Sequence, residues 1–222
     1  MKNIFILAAL GMNLIGASAM AQQFQLIPKA DASSGVTMTI PYDLGTHHGV
    51  ASQVTGVITA SQNFNSISGK LIVPLATMTT GNPTRDCHMR EALGLDYSKS
   101  QFPKIHICDP HDQLPTTGPD SVVFQTVEFI LLGVTGGGDI ASQLKPGNSF
   151  ALTANGTWVI HGVQKNISFP LKINVLDGGV LNIKGTVPFS LSDYGVIVKP
   201  VLGIGVKNDM TATLDILVAT QK

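Results

Sequence analysis

Charge is scarce in this chain. Only 13% of its 222 residues are Asp, Glu, Lys or Arg, 14 of each sign, so no strong electrostatic face is available to recruit nucleic acid or an anionic membrane surface. Long apolar runs are missing as well: past the N-terminus no segment carries 18 uninterrupted apolar residues, which excludes a later membrane-spanning helix. Two cysteines are too few for a disulfide-dense scaffold, and they lack the Cys-x-x-Cys spacing of redox exchange. There is no Gly-x-Ser-x-Gly elbow and no His-Glu-x-x-His helix, and the carboxylates are too scattered to nominate an acid–base pair. No catalytic residue is expected.

What is present begins with an N-terminal leader. Met1-Lys2-Asn3 supplies a positive start, Ile4 to Ile15 an apolar stretch, and Ala19-Met20-Ala21 a small-residue cleavage pattern. The stretch is short for a transmembrane helix of roughly 20 residues. Residues 1–21 are therefore expected to be a removable secretory signal, residues 22–222 a single domain, and the location periplasmic or secreted. A chain of that length buries a core without a metal or many disulfides.

Composition points to an all-β fold: 23 Gly, 12 Pro, and almost no helical periodicity after the leader. Several segments alternate. Leu171, Ile173 and Val175 oppose Lys172 and Asn174; Leu181, Ile183 and Val187 oppose Asn182, Lys184 and Thr186; Leu214, Ile216 and Val218 oppose Thr213 and Asp215. One apolar and one wet face favour antiparallel pairing. Further strands are expected at residues 36–40, 50–60, 66–79, 105–109, 121–132 and 150–160, giving eight or nine. Asp177-Gly178-Gly179 reads as a hairpin turn, because glycine tolerates the positive φ such turns need. Many strands without alternating helices suggest a sandwich or a closed barrel.

One short helix is expected over Thr84 to Tyr97, capped by Asn82 or Thr84 and ended near Gly94, crossing one end of the barrel. Residues 109–120 and 133–147 read as loops, and His47-His48 as an exposed turn.

Three segments resemble one known family. Thr80-Gly81-Asn82-Pro83-Thr84-Arg85-Asp86-Cys87-His88-Met89, followed by Phe102-Pro103-Lys104-Ile105, looks like the central signature of YceI-like, polyisoprenoid-binding proteins. Ile160 to Pro170 (IHGVQKNISFP) and Ser190 to Val196 (SLSDYGV) agree with it in order and spacing. The resemblance implies an eight-stranded, lipocalin-like antiparallel barrel, exported to the periplasm, with a polyprenyl or quinone tail inside. Cys87, Cys108 and the triple glycine at 136–138 depart from the family pattern.

In an exported chain the two cysteines read first as one disulfide, Cys87 to Cys108, which would stabilise the fold by about 3 kcal/mol. The competing reading is a thiol activated by His88 or His106. His106-x-Cys108-x-x-His111 is superficially ligand-like, but His111 follows Pro110 in a loop and no second cluster of metal-binding spacing exists, so no metal site is assigned.

The expected ligand is a hydrophobic small molecule of isoprenoid or quinone type, with no other cofactor. Its contacts are drawn from the apolar strand faces: Leu71, Val73, Val127, Phe129, Leu152, Trp158, Leu171, Ile173, Leu181 and Ile183. Arg85, Asp86 and His88 are expected at the barrel mouth, facing a headgroup. Two alternatives belong to other classes: a metal- or thiol-dependent redox protein using His88, His106, Cys87 and Cys108, and a stress or interaction protein whose barrel is filled. The oligomeric state stays open, homodimer included.

Overall fold

A computed structural model describes residues 21–27, 35–61, 64–102, 108, 114–200 and 202–220. The expected leader, the expected strand at 105–109 apart from Cys108, and His106 and His111 lie outside the described residues. Among the described residues eleven strands run in chain order: β1 (Gln22–Ile27), β2 (Gly35–Tyr42), β3 (Gly45–Ala51), β4 (Thr55–Ala60), β5 (Ile67–Pro74), β6 (Met78–Thr79), β7 (Thr126–Thr135), β8 (Ser149–Ile160), β9 (Val163–Val175), β10 (Leu181–Ser190) and β11 (Asp209–Thr220). A 12-residue helix, α1 (Pro83–Gly94), follows β6, and a single helical turn, α2 (Ile140–Gln143), follows β7.

Eight of these strands close an antiparallel barrel in the order β1-β4-β5-β7-β8-β9-β10-β11, with β1 returning to β11. Closure removes the free sheet edges. The other three strands continue this wall. β1 pairs with the C-terminal half of β11 (Phe24 opposite Thr220), and β2 with its N-terminal half (Thr39 opposite Thr211). β3 then pairs with both β2 and β6. Thus β1/β2, β4/β3 and β5/β6 are three neighbouring staves, each broken part-way along.

The breaks explain where the sequence-based bounds drift. The strand expected over 50–60 is interrupted at residues 52–54, and that over 66–79 by a helical turn at Leu75–Thr77. The 121–132 strand starts only at Thr126, because residues 122–124 are bound to the end of α1: Leu95 bridges Val122, and the Val123 and Phe124 amides donate to the Gly94 carbonyl. The expected loop at 133–147 is still strand to Thr135 and contains α2. His47 and His48 are not a turn; they lie within β3, opposite Ile40 and Thr39. Asn182, expected on a wet face, is buried beneath Asn174 and Asp215, to which it hydrogen-bonds. β1 is an addition to the expected strands; with one buried apolar residue, Phe24, its sequence carries little signal.

Elsewhere the alternation reads directly. In β8, Phe150, Leu152, Ala154, Trp158 and Ile160 are buried, and the intervening residues face out. Gly156 occupies the same inward series: a Cβ there would run into the Ile130 carbonyl oxygen and lie 2.6 Å from the Phe129 ring, so the glycine lets that ring lie against β8. The β9–β10 connection is the expected Asp-Gly-Gly turn, with Gly178 and Gly179 at φ 72° and 75°. Helix α1 runs as the cap chemistry dictates: the Asn82 side chain accepts from the Arg85 amide at 3.0 Å and Pro83 takes the first helical position. It ends at Gly94, where a Cβ would meet Val122 at 2.7 Å.

Candidate binding site: the barrel lumen and its mouth

Inward-facing side chains leave four small apolar cavities in series along the barrel. Beneath α1, a cavity of about 100 Å³ is lined by Met38, Met89, Leu93 and Met210 among others. Met38 and Leu93 are shared with the next, of about 50 Å³, which holds Leu71, Val73, Val127, Phe129 and Trp158. Leu71 and Phe129 lead on to a third, also about 50 Å³, with Leu171 and Ile183. Those two residues are shared with the last, about 70 Å³, which adds Leu152, Ile173 and Leu181 and ends against Phe64, Ile140 and Leu144.

All ten side chains picked out by strand parity therefore point into this one apolar channel. Parity does not reach the contributions of β2, β11 and α1, among them Val36, Met38, Ala212, Leu214 and Leu93. The alternation of β11 is visible in the sequence. The α1 face is not, because the helix has no apolar stripe and buries Asp86 and Glu91 as well as Ala92 and Leu93.

Four methionines, Met38, Met78, Met89 and Met210, line the half of the channel nearest α1. Unbranched thioether chains re-pack readily, so this half can widen. Rings dominate the middle: Trp158 lies 4.9 Å from Phe189 and Phe129 5.2 Å from Phe169, centroid to centroid.

Above the channel, at the α1 end, a wider cavity of about 350 Å³ is lined by Tyr42, Arg85, His88, Glu91, Phe102 and Lys199 among others. His47, Arg85 and His88 border both this mouth and the first apolar cavity, so they stand at the threshold between them. The Arg85 guanidinium donates to the Thr80 hydroxyl (2.7 Å) and carbonyl (3.2 Å) and lies 3.1 Å from the His47 ring nitrogens. His47 stacks on Tyr42 at 4.2 Å. Burial, then the Arg85 charge and His48, hold His47 below the ordinary imidazole value.

Asp86 is not a mouth residue. It is buried and turned back toward the β6–α1 connection, accepting from the Thr79 hydroxyl (2.6 Å) and from the Thr80 amide and hydroxyl (2.7 and 2.6 Å). Burial works against its charge, but these hydrogen bonds and nearby Arg90 outweigh it and keep the carboxyl below its ordinary range.

Cys87 and Cys108 are joined in a disulfide with Cα atoms 5.8 Å apart, and no described cysteine is free. His88, Glu91 and Cys108 place donor atoms within 4.8 Å of one another, with His88 Nδ1 3.5 Å from the buried Glu91 carboxylate. The Cys108 sulfur is committed to the disulfide and offers no thiolate, which leaves two of these three ligands among the described residues, where a zinc site needs three or four. The thiol-dependent alternative loses its nucleophile in the same way.

The three family-like segments converge on the α1 end. His161, in the β8–β9 turn, lies 2.8 Å from the Leu95 carbonyl and 3.4 Å from that of Tyr194. Tyr97 stacks between Phe102 (4.8 Å) and His161 (4.3 Å), donates to the Ala92 carbonyl and accepts from the Ile197 amide. Burial pushes the Tyr97 hydroxyl up to about 12. These contacts tie α1, the β8–β9 turn and the segment after β10 into one lid over the channel.

Among known proteins, the model of the YceI-like domain matches residues 28–218. No curated protein sequence matches the chain. A polyisoprenoid-binding domain from Saccharophagus degradans implicated in plant cell wall breakdown superposes with a TM-score of 0.61 at 12% identity, covering 89% of this chain and 98% of that one. Burkholderia cenocepacia BcnA gives 0.58 at 14% identity over 85% and 98% of the two chains. A Campylobacter jejuni YCEI protein gives 0.50 at 15% over 78% and 84%. At such identities these likenesses speak for the lipocalin-like barrel itself.

Proposed function

The chain belongs to the family of YceI-like domain proteins, and on that premise we propose that it is a binding protein whose barrel holds one hydrophobic ligand with a long isoprenoid or quinone-type tail. The observation that carries the reading is the series of apolar cavities running from beneath α1 to the far end of the barrel. Small cavities in series suit a thread better than a compact molecule. Each methylene of a tail buried there gains about 0.8 kcal/mol. The S. degradans domain, a polyisoprenoid-binding one, supports the same class of ligand.

In this reading the tail lies among Trp158, Phe129 and the other strand residues of the channel, and the headgroup rests at the threshold of Arg85, His47 and His88. No residue is assigned a catalytic step. Export by the N-terminal leader would place the carrier in the periplasm or outside the cell. The test is organic extraction of the protein purified without detergent, followed by mass spectrometry. A polyprenyl or quinone compound near one per chain is the expected result. An empty extract that stays empty after incubation with quinones and polyprenyl phosphates would remove the reading.

A further inference from the structure

Large apolar side chains stand exposed around the mouth. Leu202 is 97% exposed and Leu44 70%, with Ile197 at 46% and Ile204 at 40%. Exposed apolar residues scattered singly mean little, and Val57 in β4 and Leu132 in β7 are of that kind. The rim residues are different, because hydrogen bonds gather them. The Asp43 amide donates to the Gly205 carbonyl at 3.1 Å, the Gly205 amide to the Asp43 carboxylate at 2.7 Å, and the Lys207 amide to the Pro41 carbonyl at 2.8 Å. Leu44, at the tip of the β2–β3 turn, and Ile204 are thereby held on adjoining turns. Ile197 is pinned from the other side by its amide, which donates to the Tyr97 hydroxyl at 3.2 Å.

Leu202 is displayed at a conformational cost. It has φ 51° and is followed by Gly203 at φ 80°. Two successive positive φ values are the setting in which Asn-Gly is the usual pair, and a leucine there is strained. The side chain so presented is almost entirely in solvent, so packing within the barrel does not account for it.

The rim also continues inward. Val198, Ile204 and Val206 from the same segment line the mouth cavity, and Val198 and Val206 border the first apolar cavity beyond it. Val198 and Val206 thus carry an apolar strip from the exposed patch to the channel, alongside the threshold of His47, Arg85 and His88. A folded partner would match the rim alone; a lipid phase matches the rim and what lies behind it. Lys199 lines the mouth, and the Lys207 ammonium is paired with Asp43 at the base of the adjoining turns.

We propose that Leu44, Ile197, Leu202 and Ile204 seat the protein on a lipid bilayer with the mouth facing the acyl layer. An apolar tail would then pass between membrane and barrel without crossing water. That purpose rests on the carrier reading above, whereas the docking itself does not. Docking is apolar and needs no charged face, so it survives about 0.5 M salt, where surface charges are screened.

The test uses the full oxidised protein and large phosphatidylcholine vesicles, with and without phosphatidylglycerol. Native cysteines are paired, so Leu202→Cys provides a single site for an environment-sensitive fluorophore. Its emission is expected to shift blue on adding vesicles, and the wild type to float with them at low and high salt. Leu44→Ser with Leu202→Ser should lower flotation about tenfold, while Leu132→Ser on the outer wall leaves it unchanged, with circular dichroism confirming that each variant is folded. A wild type that stays behind, or a double variant that floats like it, overturns the proposal. So does a sedimentation shift from dimer to monomer in the double variant without any change at vesicles, which would assign the rim to a second copy. Loading from detergent micelles separates the two ideas: a chain that floats yet takes up no long-chain isoprenoid sinks the carrier reading alone, and one that loads yet never floats sinks the docking alone.

Discussion

The two sides of the α1 threshold are built from opposite chemistry. Below it, the channel walls are hydrocarbon and aromatic, with methionines concentrated beneath the helix. Above it, order comes from directional bonds: Asp86 to Thr79 and Thr80, Arg85 to Thr80 and His47, His161 to two carbonyls. Burial of hydrocarbon is non-directional and scales with area, so the channel should tolerate changes that keep it apolar. Hydrogen-bonded networks tolerate loss of a member poorly, since each orphaned partner stays desolvated. The difference assigns capacity to the lower region and placement to the upper one.

The sharpest way to break that comparison is to hollow the channel. Trp158→Ala should lower the stability of the ligand-free protein by about 4 kcal/mol, read by denaturant unfolding, yet leave uptake of a long-tailed ligand measurable because the wall stays apolar. Loss of uptake with unchanged stability would mean that Trp158 acts as a specific contact rather than as wall. Next in size is Asp86→Ala, which strands the Thr79 hydroxyl and the Thr80 amide and hydroxyl. A loss of about 3 kcal/mol is expected in the same assay, with Asp86→Asn milder because it keeps one acceptor. A loss below about 0.5 kcal/mol, the scale of a surface change, would show that these bonds are replaced by water.

Much of this division is legible in the sequence. Strand parity brings eight of its ten residues to the channel along β7, β8, β9 and β10, where the staves run unbroken, and the other two, Leu71 and Val73, along β5 just before its break. It fails where staves break: nothing local in residues 50–60 says that Ala51 and Thr55 belong to separate strands, a separation set by β2 and β1 taking different halves of β11. The neighbours Arg85 and His88 suggest the mouth for Asp86 too, but consecutive helical positions point in different directions, and Asp86 turns to the β6–α1 connection instead. In sequence, His47 reads as half of an exposed histidine pair. Its partners, Arg85 and Tyr42, come together only through the β2–β3 register and the placement of α1.

Ala212 offers a subtler probe. It is buried, lines the channel beside Trp158 and Phe129, and opposes Val187 across the β10–β11 pair. Ala212→Phe adds a ring to the lumen at a stability loss of about 2 kcal/mol for overpacking, less than hollowing it. Its effect on binding should be the larger one, since a thread must pass this level to reach the far cavities. Extraction and mass spectrometry should then find tails that are shorter or far below one per chain. Full occupancy by a long-tailed compound would place the ligand elsewhere.

The smallest expected effect concerns the threshold itself. His47 is held below the ordinary imidazole value by burial first and then by Arg85 and His48. A depressed folded value means that the unfolded chain takes up this proton more readily, so the stability contributed by neutral His47 is present above about pH 6.5 and falls as pH drops through the folded value. Protonation also sets two cations 3.1 Å apart at the channel entrance, where neutral His47 can accept a hydrogen bond from Arg85. His47→Gln keeps an acceptor and removes the titration. The melting temperature of the wild type should therefore fall more between about pH 7.5 and 5.5 than that of His47→Gln, and the imidazole, followed by NMR, should titrate below the free value. Equal falls would confine the pH response to other histidines and leave the threshold indifferent to acid, as the hydrocarbon beneath it is.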